Sequence, residues 1–313
     1  MLNYIYMTDK DIISIKNFKL SFGNKEIIRG LSFNVKKGEI FGFLGSNGSG
    51  KTTTIRALLG IYQADSGELL INGEEFSPER VGAIGYLPEE RGLYKKEKVI
   101  DVMQYFGRLK GLSKKEAQEF SKKYLKRVGL EDKANLNIDK LSGGQQQKIQ
   151  LGITIMGKPE ILILDEPTKG FDPVNRQLLM DIIEEENARG ATIMMVTHQM
   201  EEVEKICNRA LLLKNGKMEA YGTVDEIRNK FGEQRIILEF VGDLPKSDKF
   251  EVIKKEANYA ELSLKADSQE ILEELVSKNL QIINFKVQKS TLNEIFLNIY
   301  GEENEVENEV KNV

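Results

Sequence analysis

The chain has 313 residues, of which 40% are apolar and 30% are charged, with a formal net charge of −4. This balance is typical of a soluble protein with one large and one smaller domain, and it argues against a general nucleic-acid binder. A single cysteine, Cys207, and a single histidine, His198, exclude an internal disulfide and a multi-histidine metal site. Because no apolar run approaches the roughly 20 residues that span a bilayer, we expect a cytoplasmic protein that reaches a membrane only through a partner.

Strand-like runs alternate with helical patterns through the first two thirds of the chain. IISI near residue 12 and LSFNV at 31–35 predict an antiparallel β subdomain at the N-terminus. ILIL at 161–164 and TIMMVT at 192–197 are near-continuous apolar runs, as expected of strands buried on both faces of a parallel sheet. Strands that alternate with helices indicate an α/β fold.

Changes in the apolar period divide the chain into domains. The period becomes helical from about 97 to 140, which predicts a helical subdomain within a large domain at 10–230. RIILEFV, YAELSLK and QIINFKV are strand-like and flank a helical pattern, so we expect a small α+β domain at 233–300. The last segment, 301–313, is acidic and poor in apolar residues, and we expect it to be disordered.

The motif with the strongest chemical signal is GSNGSGKTT, which follows a strand and precedes a helix. It fits the P-loop pattern, in which glycines let successive backbone N–H groups point at phosphate oxygens. Lys51 would reach the β- and γ-phosphates, and the Thr52 hydroxyl would ligate Mg²⁺. The predicted phosphate-binding residues are Gly45, Ser46, Asn47, Gly48, Ser49, Gly50, Lys51, Thr52 and Thr53.

ILILDEP places two carboxylates, Asp165 and Glu166, directly after an apolar strand. Ligands of open parallel sheets bind at the carboxyl ends of the strands, so Asp165 is a candidate Mg²⁺ partner beside the P-loop. Glu166 is then a candidate general base that polarises the attacking water.

LSGGQ lies between these two motifs, where a helix should begin. Exposed N–H groups, a hydroxyl donor and the helix dipole would make this helix start a second anion site. The alternative is a flexible turn that caps an ordinary helix. The residues concerned are Ser142, Gly143, Gly144 and Gln145.

In this order and spacing, the three motifs resemble the nucleotide-binding subunits of ATP-binding cassette (ABC) transporters, over about residues 12–230. The resemblance implies a P-loop NTPase cassette that binds ATP and Mg²⁺ and hydrolyses ATP. FDP at 171–173 is similar to the family's D-loop, in which Asp172 would couple two nucleotide sites, and His198 has the position of the switch histidine. Phe22 has the position of the aromatic residue that stacks on adenine; a core phenylalanine in a β-run is the alternative.

The C-terminal part, which ends in STLNEIFLNIYG, resembles that of ABC-2-type exporter ATPases. LSGGQ is the family's signature motif. The family resemblance implies a head-to-tail dimer, either a homodimer or a pseudo-dimer with a related cassette, with ATP between the P-loop of one subunit and the signature of the other. It also implies integral-membrane permease subunits and a peripheral location on the inner face of the cell membrane. A soluble, non-transport ABC ATPase is the alternative function.

IGYLPEERG has the position of the family's Q-loop, but Glu89 stands where a glutamine is usual. A carboxylate can ligate Mg²⁺, and its charge near the γ-phosphate would need an opposite charge such as Arg91. Two interpretations remain open: Glu89 keeps a metal-sensing role, or it points to solvent and another group substitutes for it.

Overall fold

The computed structural model describes residues 11–77, 82–90 and 92–310, with side chains described as far as residue 301. The chain divides into two compact units between Tyr221 and Gly222. Among the described helices, none combines the length and the apolar composition needed to cross a bilayer.

The first unit contains nine described strands and six described α-helices, with β9 crossing into the second unit. The strands are β1 (Asp11–Phe22), β2 (Lys25–Lys36), β3 (Ile40–Gly45), β4 (Ser66–Ile71), β5 (Ile84–Leu87), β6 (Ile161–Asp165), β7 (Thr192–Thr197), β8 (Arg209–Lys214) and β9 (Lys217–Thr223). The helices are α1 (Lys51–Leu58), α2 (Val99–Leu109), α3 (Lys114–Arg127), α4 (Gly143–Ile155), α5 (Pro173–Ala188) and α6 (Met200–Ile206).

Two sheets organise this unit, and the predicted α/β fold is confirmed. An antiparallel sheet has the order β2-β1-β4, and a six-stranded sheet has the order β5-β6-β7-β3-β8-β9, in which the neighbours from β5 to β8 are parallel. Every residue of β3, β6 and β7 is buried, which explains the apolar runs of the sequence. Because these three strands are neighbours and parallel, the loops that follow them meet at one edge of the sheet.

Three helices of the first unit, α2, α3 and α4, pack against one another. The contact between α3 and α4 depends on a glycine: a Cβ at Gly152 would lie 2.3 Å from the Tyr124 ring. The Tyr124 hydroxyl donates to the Lys148 carbonyl oxygen at 2.8 Å, which joins the same two helices through a buried hydrogen bond. The helix that begins at LSGGQ is therefore fixed along its length by its neighbours.

The second unit contains one four-stranded antiparallel sheet with the order β11-β12-β10-β13. Side chains of the sheet and of α8, including Leu238, Phe240 and Ile271, form a separate apolar core. Its elements are α7 (Val224–Phe231), β10 (Gln234–Val241), β11 (Phe250–Glu256), β12 (Tyr259–Leu264), α8 (Ser268–Ser277), β13 (Gln281–Lys289) and α9 (Leu292–Val310).

The structure differs from the predicted boundaries of this unit at both ends. The division precedes residue 230 because α7 packs against α9, and Arg228 Nε donates to the Ser290 carbonyl oxygen at 3.2 Å. The segment predicted to be disordered, 301–313, is helical as far as Val310, and its last three residues lie outside the described residues. Glutamate is a good helix former, so an acidic segment can extend a helix that has already begun.

Lys110 caps the C-terminal end of α4 from the end of α2. Its Nζ donates to the carbonyl oxygens of Ile153 and Thr154, both at 2.7 Å. These carbonyls are among the last four of the helix and have no acceptor role within it. Lys110 therefore ties the far end of the signature helix to α2.

We expect Lys110→Met to lower the free energy of unfolding by about 1–3 kcal/mol, because it removes the donor of partly buried carbonyl groups. The measurement is chemical denaturation of the full chain followed by circular dichroism. The matched control is Lys115→Met on the exposed face of α3, where we expect a change of no more than about 0.5 kcal/mol. Equal effects of the two substitutions would contradict the capping role.

Candidate nucleotide-binding site

The loop between β3 and α1 has a backbone that only glycine accommodates easily. Gly48 and Gly50 have φ angles of 79° and 111°, in the left-handed region. A Cβ at Gly45 would lie 2.5 Å from the Leu213 carbonyl oxygen, so this position has no room for a side chain. The loop leads directly into the N-terminus of α1, whose first N–H groups and dipole favour an anion.

Lys51, the first residue of α1, lies folded over this loop. Its Nζ donates to the carbonyl oxygens of Gly45 and Ser46 at 2.8 and 2.9 Å. Burial lowers the pKa of Lys51, while the nearby charges of Glu166 and Asp165 act in the opposite direction. A buried ammonium group bonded to neutral carbonyls gains a stronger partner when a phosphate oxygen is present. The residues of the loop therefore fit a phosphate group.

Thr52 and Asp165, which are far apart in the sequence, are in contact. The Thr52 hydroxyl donates to Asp165 Oδ2 at 3.1 Å, and Asp165 is almost fully buried at the end of β6. Burial, together with the charges of Glu89 and Glu166, raises the pKa of Asp165 to about 6, and the hydrogen bond from Thr52 opposes this rise. A cation would stabilise the ionised carboxylate, and hydroxyl and carboxylate oxygens are the ligands that Mg²⁺ prefers. These residues fit a magnesium ion.

Glu166 has a strained backbone that directs its carboxylate towards the end of β7. Its φ angle is 51°, and its N–H donates to the Val196 carbonyl oxygen at 2.8 Å. Glu166 Oε1 lies 2.7 Å from His198 Nδ1, and the Thr197 hydroxyl lies 3.4 Å from Oε2. A left-handed φ in a residue with a side chain costs about 1–3 kcal/mol, which persists only where the surroundings enforce it. The structure thus brings the predicted base and the switch histidine together.

A cleft of about 410 Å³ lies beside the P-loop. Its lining includes two residues that the sequence did not single out, Lys25 and Ile27 at the start of β2. The start of β2 lies against the P-loop, because a Cβ at Gly50 would lie 3.6 Å from the Ile27 carbonyl oxygen. The full lining is Lys25, Ile27, Asn47, Gly48, Gly50, Lys51, Thr52, Thr53, Glu89, Asp165 and Glu166.

Phe22 lies at the end of β1 and is 49% exposed, so the alternative of a core phenylalanine is wrong. Its ring packs edge-on against Tyr62, with the centroids 5.2 Å apart. Arg56 donates to the Tyr62 hydroxyl at 3.1 Å and so holds the second ring in place. The exposed part of the Phe22 ring can stack on a planar ligand.

Glu89, the residue after Pro88, forms an ion pair across the site. Its Oε1 lies 2.6 Å from Lys169 Nζ, and Glu89 also lines the cleft beside the P-loop. Arg91, the predicted opposite charge, lies outside the described residues. Glu89 is exposed and also pairs with Lys169, so both interpretations of Glu89 stay open. Lys169 was missed because a lysine in the loop after a buried strand carries no distinctive sequence pattern.

The LSGGQ residues form a helix start with reciprocal capping. Ser142 Oγ accepts from the Gln145 N–H at 3.3 Å, and Gln145 Oε1 accepts from the Ser142 N–H at 2.9 Å. Gly143 and Gly144 begin α4, and a Cβ at Gly144 would lie 3.2 Å from the Phe171 ring. None of the four signature residues is among the residues that line the cleft beside the P-loop. Within one chain, the two predicted anion-binding features therefore do not share this cleft.

Asp172 begins the next helix. Its Oδ1 accepts from the Asn175 N–H at 2.9 Å, which makes Asp172 the N-cap of α5. The bonds from Asn175 lower the pKa of this exposed carboxyl group. Since the Phe171 ring packs against Gly144, the FDP segment and the LSGGQ signature lie next to each other.

A buried polar cluster behind Glu166 was not found from the sequence. The Thr168 hydroxyl donates to Glu202 Oε1 at 2.6 Å, and the same oxygen lies 3.6 Å from Arg176 Nε. These side chains come from the loop after β6, which also carries Glu166, from α6, which begins two residues after His198, and from α5, which begins directly after Asp172. Burial raises the pKa of Glu202, and the hydrogen bond from Thr168 and the charge of Arg176 oppose this effect. The cluster fixes three site segments to one another.

Asp165→Asn should stabilise the ligand-free protein. The folded pKa of Asp165, about 6, lies above its ordinary value, so the stability contributed by this group is lost as the pH rises through 6. At about 1.4 kcal/mol for each pKa unit, we expect a gain on the order of 2–3 kcal/mol near pH 7.5. The gain should be smaller near pH 5, where the folded protein already holds the proton.

Thermal and chemical unfolding of both forms, without nucleotide, measures this difference. Asp139→Asn, an exposed aspartate, is the control and should change the free energy of unfolding by no more than about 0.5 kcal/mol at either pH. A loss of stability for Asp165→Asn, or a gain independent of pH, would contradict the electrostatic account.

Thr168→Val should lower the free energy of unfolding by about 1–3 kcal/mol, since it leaves the buried Glu202 carboxylate without a hydroxyl donor. Thr168→Ser keeps the donor and is the matched control. The free energies come from denaturant titrations of the two variants and the wild type. Equal free energies of unfolding for the Val and Ser variants would show that the hydrogen bond from the Thr168 hydroxyl does not stabilise the fold.

Comparison with known proteins agrees with this geometry. The ABC transporter family profile matches residues 28–169, and the profile of the C-terminal domain of DrrA1-3-like ATP-binding proteins matches residues 222–300. The chain is 41% identical over 288 residues to the uncharacterised ABC transporter ATP-binding protein MJ1023 of Methanocaldococcus jannaschii, covering 92% of this chain and 99% of that protein.

Two further similarities concern a relative and a solved structure. Nod factor export ATP-binding protein I of Burkholderia lata is 37% identical, over 67% of this chain and 70% of that protein. The structure of cbiO1 from Clostridium perfringens, part of the ABC transporter complex cbiONQ, matches with a TM-score of 0.62 and 25% identity, covering 71% of this chain and 92% of that one. The chain belongs to the ATP-binding subunits of ABC transporters, the family that binds and hydrolyses ATP.

Proposed function

We propose that this subunit powers an exporter by closing head to tail on a second cassette around ATP and opening after hydrolysis. One observation carries the proposal: a P-loop and a capped, glycine-rich helix start occur in the same chain, but the second does not line the cleft of the first. Two such chains, each offering its signature to the other's nucleotide, would use both features. The partner is a second copy or a related cassette.

The adenine and the phosphates have separate supports in this proposal. The exposed ring of Phe22 stacks on the base, and the N–H groups of the P-loop surround the phosphates. Lys51 exchanges its bonds to two carbonyl oxygens for bonds to the β- and γ-phosphates. Lys25, at the rim of the same cleft, adds a second positive charge on the phosphate side.

A magnesium ion would be held by Thr52 and Asp165, with Glu89 on the facing side of the cleft. Bound there, the ion would neutralise phosphate charge and stabilise the ionised form of Asp165. Thr52 supplies a hydroxyl oxygen and Asp165 a carboxylate oxygen, and the bond between them already places both at the same point.

Glu166 and His198 are proposed to act on the water that attacks the γ-phosphate. Glu166 accepts the proton as general base, and His198, 2.7 Å from its carboxylate, fixes the orientation of that carboxylate. The strained backbone of Glu166 contributes to the same fixed geometry. Asp172 lies at the start of α5, beside the signature, where it would couple one site to the other.

The signature of the second subunit would bind the γ-phosphate from the opposite side. Ser142 Oγ accepts a bond from the Gln145 N–H, which leaves its own O–H free to donate to a phosphate oxygen. The first N–H groups of α4, at Gly143 and Gly144, and the helix dipole favour the same anion. Capping and anion binding are thus compatible functions of one helix start.

The proposals of an export function and of attachment to a membrane are supported by similar proteins. The Nod factor export protein supports an export function, and cbiO1, part of the cbiONQ complex, supports permease partners. Exposed aromatic residues, Tyr94 and Tyr105, pack together after the Glu89 loop and offer a surface for such a partner. The subunit would then lie on the inner face of the membrane. The alternative, a soluble non-transport ABC ATPase, has no observation in its favour.

Glu166→Gln should still bind ATP and Mg²⁺ but should accumulate as an ATP-bound dimer, because the amide cannot accept the proton of the attacking water. Gel filtration with ATP and Mg²⁺ measures the dimer, and phosphate release measures hydrolysis, which should fall by at least about a hundredfold.

The matched control is Glu160→Gln, in the exposed segment just before β6, which should hydrolyse ATP like the wild type. A Glu166→Gln protein that remains monomeric with ATP and Mg²⁺ would contradict the dimer mechanism.

A further inference from the structure

We propose that Glu89 and Lys169 act together as one electrically neutral acceptor beside the γ-phosphate position, with Lys169 as a positioning residue. This inference rests on the proposed function, because it concerns how the cleft accepts the triphosphate and its metal. The observation behind it is the ion pair of 2.6 Å between Glu89 Oε1 and Lys169 Nζ at the edge of the cleft.

Strand pairing places the two side chains opposite each other. Leu87 of β5 pairs with Leu164 of β6, so Glu89 and Glu166, each two residues further along a parallel strand, reach the same level. Lys169 follows on the same turn, because its N–H donates to the Glu166 carbonyl oxygen at 3.2 Å. The pairing of β5 with β6 therefore brings the two residues of the ion pair together.

The charges around the cleft explain why such a pair is needed. Glu89, Asp165 and Glu166 all line the cleft, and the charge of Glu89 contributes to the raised pKa of Asp165. A nucleotide triphosphate would bring further negative charge to the same place. Lys169 offsets the charge of Glu89, whose hydrogen bond and charge raise the pKa of Lys169, with smaller contributions from Glu166 and Asp165. Without Lys169, three carboxylates would face the phosphates.

The geometry of the ion pair leaves one carboxylate oxygen of Glu89 available to a ligand. Lys169 binds Oε1, and Oε2 of Glu89 keeps its lone pairs for a metal ion or a water molecule. Together, the two side chains have zero net charge and an available oxygen, like an amide. Because both are substantially exposed, the pair adds little to folding stability, so its effect belongs in ligand affinity.

A double-mutant cycle tests this coupling. The proteins are the wild type, Glu89→Gln, Lys169→Met and the double variant, and isothermal titration calorimetry measures the Kd of the ATP analogue AMP-PNP with Mg²⁺. We expect Lys169→Met alone to weaken binding by at least about fivefold, because Glu89 then has no countercharge. The double variant should bind within about twofold of the wild type, since the neutral amide needs no countercharge.

The control pair is Lys115 and Glu119, exposed on α3 and 3.9 Å apart. Lys115→Met and Glu119→Gln should leave the Kd within about twofold of the wild type. The side chains of this pair are more exposed, at 85% and 68% against 56% for Lys169 and 41% for Glu89, and neither residue lines the cleft beside the P-loop.

Two results would overturn the inference. If Lys169→Met changes the Kd by less than about twofold, the ion pair is only a surface contact. If Lys169→Met weakens binding equally in the Glu89→Gln background, Lys169 acts on the nucleotide directly rather than through Glu89. Failure of the wild type itself to bind AMP-PNP with Mg²⁺ would overturn the proposed function as well, and it is the one outcome that does so.

Discussion

Burial of the Asp165 carboxylate at the end of a parallel strand is the constraint on which the site depends. With a pKa of about 6, this group is ionised near neutral pH at a cost in stability, and nearby positive charge lowers that cost. Thr52 supplies a hydrogen bond and Lys51 a positive charge, but the folded protein still holds carboxylates at a cost. A bound metal and nucleotide would remove that cost, so binding energy and local stability are linked.

The same edge of the sheet holds a residue with a strained backbone, Glu166, as well as several charged side chains. The left-handed φ of Glu166 is held by its bond to the Val196 carbonyl oxygen and by the close approach of His198. The buried contact between Thr168 and Glu202 fixes the next turn of the chain. Two contacts of Glu166 and one buried hydrogen bond therefore act on a segment of a few residues and fix the direction of the Glu166 carboxylate.

The sequence predicted those parts of the site that a local pattern specifies. The P-loop needs glycine where φ is positive, and the apolar runs of β6 and β7 need burial on both faces, so both are visible in the chain. The partnership of Glu89 with Lys169 was not visible, because it depends on the pairing of β5 with β6 across nearly eighty residues. The helical end of the chain was also missed, since an acidic composition favours a helix as readily as disorder.

The central claim, that one ATP lies between the P-loop of one subunit and the signature of another, is tested most directly by cross-linking. Asn47→Cys and Ser142→Cys, each with Cys207→Ser and Glu166→Gln, are mixed and treated with a short bismaleimide. The account predicts a cross-linked dimer only in the mixture, and only with ATP and Mg²⁺. A cross-link in either variant alone, or none in the mixture, would contradict the head-to-tail arrangement.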